Sequence, residues 1–363
     1  MTVRFLDRGT VAAAIRRLPL RGRAALLADR AATRIQRHVR AQPKYLLEEP
    51  RAIAKQQWRR VVRIDQPLVL ITQIHRSGGT LLMRLFDSHP ELYAIPHELG
   101  PIIPADPVPT AYPAVWRALH DRDKMASRFK RGLRQQNSRL NRDESEAPFL
   151  LLPSVHGSIL VRNLREHDAP TERDAVDAYL TGYFNAWLNY RGGLDPAKKW
   201  VTGFESAMIA QPKRMERYRA VYPDGRVISI LRDPASWWAS ARRWEPRYER
   251  LDVALMLWEE SALAAERQAD LLLDFEALTS RTAETMAGVA AFLGIEMRDE
   301  LLTPTVNGVP FGANSSFASA EPGVVDAQRD RSSTLTEDER AQIEAAVGET
   351  YRRVRERCLP FGA

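Results

Sequence analysis

Apolar residues along this chain follow two repeating patterns. Short runs suited to burial on both faces occur at 67–72, 199–204, 226–231 and 270–275, and read as strands of a parallel sheet. Apolar positions three and four apart predict helices over 79–88, 234–243, 251–267, 281–293 and 336–357. Strands that alternate with helices predict an α/β protein, with a central parallel sheet and helices on both faces. Pro234 stands in the first turn of its helix, where a missing N–H costs nothing. Gly294 stands where a helix ends.

Ahead of the first strand the pattern changes. Leu20, Ala24, Leu27, Ala31, Ile35 and His38 fall on one helical face, flanked by Arg23, Arg30, Arg34 and Arg37. Residues 1–64 hold 16 Lys and Arg against 4 Asp and Glu, whereas 65–363 hold 37 against 42. The net charge of +7 therefore belongs to an N-terminal helical arm, 1–64, and any positive cleft in the main domain, 65–363, must be local. Such an arm can dock on its own domain, join subunits into a homo-oligomer, or lie on an anionic membrane through residues 10–40. Nucleic acid is not expected as a partner, because no aromatic interleaving accompanies the charge.

The segment between the first strand and its helix carries the first chemistry. Arg76-Ser77-Gly78-Gly79-Thr80 is a small polar loop that opens a helix. A helix N-terminus offers unpaired N–H groups and positive dipole, and glycines let backbone close on an anion. The Walker pattern is absent, since no Gly opens the loop and no Lys precedes Thr80. A second element follows the strand at 226–231: Arg232-Asp233-Pro234, then Ser240 eight residues past Arg232. Arg232 stands at a strand's carboxyl end, where open α/β sheets bind ligands, and a guanidinium forks onto phosphate oxygens.

Together these residues resemble the sulfotransferases that use 3′-phosphoadenosine 5′-phosphosulfate (PAPS). The loop is similar to their 5′-phosphosulfate loop, and Arg232 with Ser240 to their 3′-phosphate site. The continuation Leu82-Met83-Arg84-Leu85-Phe86-Asp87-Ser88-His89-Pro90 is most similar to the bacterial carbohydrate and tyrosylprotein types. Asp270 to Leu278 and Phe292 to Ile295 are weaker echoes. The resemblance covers roughly 65–357, with gaps in 100–200, which it leaves as variable acceptor-side helices and a lid.

The resemblance implies a P-loop-like fold and transfer of a sulfuryl group from PAPS to a hydroxyl acceptor, without a metal. Ser77, Gly78, Gly79 and Thr80 would cradle the 5′ group beside Arg76. Arg76 would steady the leaving oxygen by charge, since a guanidinium does not readily give up a proton. Arg232 and Ser240 would hold the 3′-phosphate. The general base would be Glu98, or His97 if the loop is one residue shifted. His75 would assist or simply pack, His89 would end the helix, and Glu91 would face solvent. Gly79 departs from the family's usual hydroxyl residue. Trp200 to Ala207 lacks the lysine that many relatives carry before the Arg-Asp-Pro strand, and Glu205 there is an alternative acceptor-side carboxylate. The family's late basic Gly-rich loop is also missing, with Asn314, Ser315, Ser316, Arg329 and Arg331 as replacements.

The acceptor class expected is a sugar, a glycolipid or other lipid, or another hydroxylated metabolite, with Trp187, Tyr190, Trp237 and Trp238 either stacking on it or packing in the core. Alternative functions are a degenerate sulfotransferase fold that binds nucleotide without turnover, and a P-loop small-molecule kinase. The single cysteine, Cys358, fits a reducing compartment. No run of 18 apolar residues and no signal-peptide core occur. The expected setting is cytoplasmic, with peripheral contact at the inner membrane face as the variant the arm suggests.

Overall fold

The computed structural model describes residues 60–99, 102–120, 151, 153–310, 323–325 and 332–359. The basic arm lies outside them, as do most of the lid at 100–148 and Asn314, Ser315, Ser316, Arg329 and Arg331. Five parallel strands form the main sheet: β1 Leu68–Ile71, β2 Leu92–Glu98, β3 Trp200–Phe204, β4 Arg226–Leu231 and β5 Leu271–Asp274. Their order is β2-β3-β1-β4-β5, so β1 lies centrally, paired with β3 on one side and β4 on the other.

Every residue of β1 is buried, as its unbroken apolar run requires. Helix α1, Gly79–Phe86, follows it and buries Leu81, Leu82, Leu85 and Phe86 against the sheet, with Ile71, Ile228, Ile230 and Leu273 in the same core. After α2 (Ala114–Leu119) come α3 (Pro153–Leu164) and α4 (Glu172–Ala186), which pack on each other. Between β3 and β4 runs α5, Pro212–Val221, and after β4 come α6, Pro234–Ala241, and α7, Leu251–Gln268. The chain continues from β5 through α8, Phe275–Ser280, and α9, Thr282–Leu293, to a short hairpin of β6, Thr305–Val306, and β7, Val309–Pro310; the last helix is α10, Glu337–Arg355.

The four strands and five helices expected from periodicity are present. Strand β2 was not anticipated, because Pro96 interrupts it. The sheet order explains the tolerance: β2 is an edge strand, and its register slips between Ala94 and Glu98. Helix α4 was hidden for a different reason. It is buried almost all round, and polar residues there have partners on the strap before β1. Thr181 Oγ1 accepts from Ile64 N at 3.0 Å, and Asn185 bonds both N and O of Val62. Such a helix shows no clean apolar stripe.

Asn307-Gly308 makes the turn of the β6–β7 hairpin, with positive φ at both residues. The hairpin is tied to the far end of α1, where Asp87 accepts from Thr305 Oγ1 at 2.7 Å and from Gly308 N at 2.9 Å.

Candidate active site

Parallel pairing brings the carboxyl ends of β1 to β5 to one edge. The chain leaves β1 toward β2 on one side and later returns to build β4 on the other. This makes the β1/β4 boundary the switch point, where neighbouring loops part and leave a crevice. The loop after β1 carries Arg76 to Thr80, and the loop after β4 carries Arg232. The two motifs, some 150 residues apart in sequence, therefore meet.

They meet through direct bonds. Arg232 Nη1 donates to the Arg76 carbonyl at 2.7 Å, and Arg76 Nε donates to Ser240 Oγ at 3.5 Å. Arg232 Nη2 donates to Ser236 Oγ at 2.9 Å, and the guanidinium lies over the Phe275 ring, 4.3 Å from its centroid. Trp237 Nε1 donates to the His75 carbonyl at 2.7 Å, and Trp258 Nε1 to the Arg232 carbonyl at 3.1 Å. The loops after β1, β4 and β5 are thus interlocked before any ligand is considered.

The backbone suits an anion. Arg76 has φ 70° and Gly78 φ 98°, and left-handed residues in such a loop are the kind of backbone that can turn neighbouring N–H groups toward an anion. A Cβ at Gly78 would lie 2.6 Å from Phe275 Cδ2, so both its dihedral and its close packing call for glycine. Gly78 caps α1 without any side-chain bond, and no acidic residue stands in the first turn. The helix's positive end is left to a ligand. Ser77 is buried and lines a small cavity with Ser229, Arg232, Trp258 and Ser261. The Ser77 hydroxyl has no hydrogen-bond partner among the described residues. Thr80 is the second residue of α1 and half-buried. Two cations and a nest of N–H groups at a switch point fit a ligand with two separate phosphate-like groups.

Asp233 caps α6 by accepting from Ser236 N at 2.7 Å, while its own N–H donates to the Glu276 carboxylate at 3.3 Å. Burial holds the Glu276 carboxyl well above the ordinary carboxylate range; Asp274 adds to this and Arg232 opposes it.

The base candidates are placed differently from one another. Glu98 ends β2 and is exposed, and its Oε1 accepts bonds from Ser206 N, at 3.2 Å, and Ser206 Oγ. His97 is buried and faces the α3–α4 pair. Its Nδ1 donates to the Glu98 carbonyl at 3.0 Å, so its Nε2 accepts from the Tyr183 hydroxyl at 2.8 Å. His75 Nδ1 accepts from Arg247 Nη2 at 3.1 Å, beside Tyr248 Oη at 3.0 Å. His89 has the structural place expected of it, with Nε2 donating to the Glu296 carbonyl at 2.9 Å; burial lowers its affinity for a proton. Glu91 does not face solvent freely: it pairs with Lys199 at 2.5 Å and accepts from Glu296 N. Glu205 is taken up in a buried fork with Arg214, at 2.5 and 2.7 Å, and is not presented to an acceptor. Trp187, Trp237 and Trp238 are core residues.

Ser206 and Ser236 were missed by sequence reasoning. Serine carries no periodicity signal, and only the sheet order places Ser206, after β3, beside Glu98 at the end of β2. No group of three or more His, Cys, Asp or Glu suited to a metal occurs among the described residues, and none of their helices is long and apolar enough to cross a membrane.

Comparison with known proteins adds a family. The profile described as "Sulfotransferase family" matches residues 67–299. No curated protein matches the sequence. Among solved structures, the sulfotransferase domain from the curacin biosynthetic pathway is 17% identical, with 78% of this chain and 98% of that one covered at a TM-score of 0.41. The sulfotransferase domain of the Synechococcus PCC 7002 olefin synthase is 16% identical, covering 79% and 96% at 0.42. A sulfotransferase from Alicyclobacillus acidocaldarius is 15% identical, covering 80% and 95% at 0.41.

Proposed function

This chain belongs to the sulfotransferase family, and from that premise we propose that it is a PAPS-dependent O-sulfotransferase acting on a hydroxylated small molecule, carbohydrate or lipid. The observation that carries the reading is the joining of two anion-binding elements: Arg232 bonded to the Arg76 carbonyl, and Arg76 within 3.5 Å of Ser240. PAPS, when bound, supplies a sulfuryl group on a phosphate leaving group. Arg232 and Ser240 hold the 3′-phosphate, and the N–H groups of Ser77 to Thr80 hold the 5′ group at the start of α1. Arg76 sets fixed positive charge beside the bridging oxygen, where negative charge builds as the sulfur–oxygen bond breaks.

Glu98 takes the proton from the acceptor hydroxyl. Its strand lies two places from β1 in the sheet, on the order of 10 Å at ordinary strand spacing. That interval leaves room for an acceptor between base and donor, held for in-line attack. Ser206 fixes the carboxylate from the end of β3. His97 is the poorer base, since its free lone pair is already engaged by Tyr183.

The test is transfer of radiolabelled sulfuryl from PAPS to a panel of sugars, glycolipids and phenols. Wild type should label at least one class. Glu98→Gln should bind adenosine 3′,5′-bisphosphate as wild type does while its turnover falls at least hundredfold. Full turnover in that variant would remove Glu98 from the chemistry.

A further inference from the structure

Position 79 has no side chain, and the space beside it is filled from elsewhere. A Cβ built on Gly79 would lie 2.0 Å from Gln73 Nε2 and 2.4 Å from Phe204 Cε2. Gln73 follows β1 by two residues, is 2% exposed, and has its main chain pinned by Ala207 N, which donates to the Gln73 carbonyl at 2.8 Å. Its carboxamide thus folds against the first residue of α1. Its Oε1 is buried without a hydrogen-bond partner among the described residues.

The polarity of that contact is unusual for a helix start. The first N–H groups of a helix seek acceptors, which a capping side chain normally supplies. Here Gly78 supplies none, the first turn has no acid, and the group that Gln73 turns toward the helix start is a donor. Donors gathered beside the positive end of a helix favour an anion among them.

We infer that Gln73 is a binding residue for the 5′ group of the donor nucleotide, its carboxamide N–H donating to a phosphate oxygen from the place that a hydroxyl side chain at position 79 would occupy. This rests on the donor site proposed above. It also accounts for Gly79: a serine or threonine there would collide with Gln73 and Phe204. The missing hydroxyl and the buried amide are one exchange.

The test separates the two phosphates of the ligand. Calorimetric affinities are measured for adenosine 3′,5′-bisphosphate and for adenosine 3′-phosphate, which lacks the 5′ group, with wild type, Gln73→Leu, Gln73→Glu and Arg232→Ala. Gln73→Leu keeps the volume and removes the donor. It should weaken the bisphosphate about ten- to hundredfold and leave the 3′-phosphate within about threefold. Gln73→Glu, isosteric with the native residue, should weaken the bisphosphate further, and it gives the same test if the leucine variant fails to fold. Arg232→Ala should weaken both ligands. Equal losses for both ligands in the Gln73 variants would make Gln73 a packing residue, and no loss for either would remove it from the site; both outcomes leave the donor site standing. Wild type that binds neither ligand would overturn the donor site and this inference with it.

Discussion

Two carboxylates at the ends of the paired strands β2 and β3 have opposite fates, and partners decide which. Glu98 is exposed at a strand end and held by a serine, so it keeps a face free for chemistry. Glu205 lies inside a two-pronged ion pair with Arg214, with both side chains about one-tenth exposed. Removing one member of such a pair strands a buried charge, at a cost of roughly 3–5 kcal/mol. Arg214→Met is therefore predicted to lower the denaturant midpoint sharply, with unchanged m-value. Ser206→Ala should do the reverse: it should leave the unfolding free energy within about 0.5 kcal/mol of wild type but lower kcat, because it releases Glu98 from the serine that fixes its carboxylate. An unaltered kcat in Ser206→Ala would separate that serine from the base.

At the scale of elements, the α3–α4 pair shows how burial sets pH dependence. His156 lies inside it, with Nε2 donating to the Tyr179 carbonyl at 2.9 Å. Burial, aided by His120, lowers its pKa from 6.5 to about 3, against the small opposing effect of that carbonyl. The unfolded chain binds a proton here between those values and the folded chain does not. Stability is thus complete above about pH 6.5 and lost as pH falls toward 3, by at most about 1.4 kcal/mol per pH unit for this one group. His156→Phe should flatten that part of the stability–pH curve, as read by urea unfolding at pH 7 and pH 5. A slope equal to wild type would show that His156 does not govern it.

What the sequence made legible differs by element for physical reasons. Strands buried on both faces announce themselves as apolar runs, so β1, β4 and β5 were readable, and with them Arg76 and Arg232 at their carboxyl ends. Glu98 was readable only through resemblance, because Pro96 disguises the edge strand that carries it. Helix α4 was unreadable because Asp177, Thr181 and Asn185 are buried with partners far away in sequence, such as Tyr222 for Asp177. Ser206 beside Glu98 and Gln73 beside Gly79 are contacts across strands or turns, and no local pattern encodes them.

At the scale of the whole molecule, the sheet order is what turns separate motifs into a site. Order β2-β3-β1-β4-β5 sets the loop of Arg76 against that of Arg232 on one side and keeps Glu98 two strands away on the other. Residues 65–363 hold fewer basic than acidic residues, so attraction for an anionic nucleotide is local. Binding should accordingly weaken as salt rises from 50 to 500 mM, as the ionic atmosphere shortens the reach of Arg76 and Arg232. An affinity indifferent to salt would argue against a two-phosphate ligand held by these cations.

The central claim is that the crevice between β1 and β4 binds the donor nucleotide. Its most direct test is thermal unfolding of wild type and Arg232→Ala with adenosine 3′,5′-bisphosphate, 5′-AMP or ATP–magnesium. A ligand that binds only the folded chain raises Tm by mass action. The account predicts a rise specific to the 3′,5′-bisphosphate that disappears in Arg232→Ala. A rise with ATP–magnesium instead, or none with any nucleotide, would contradict it.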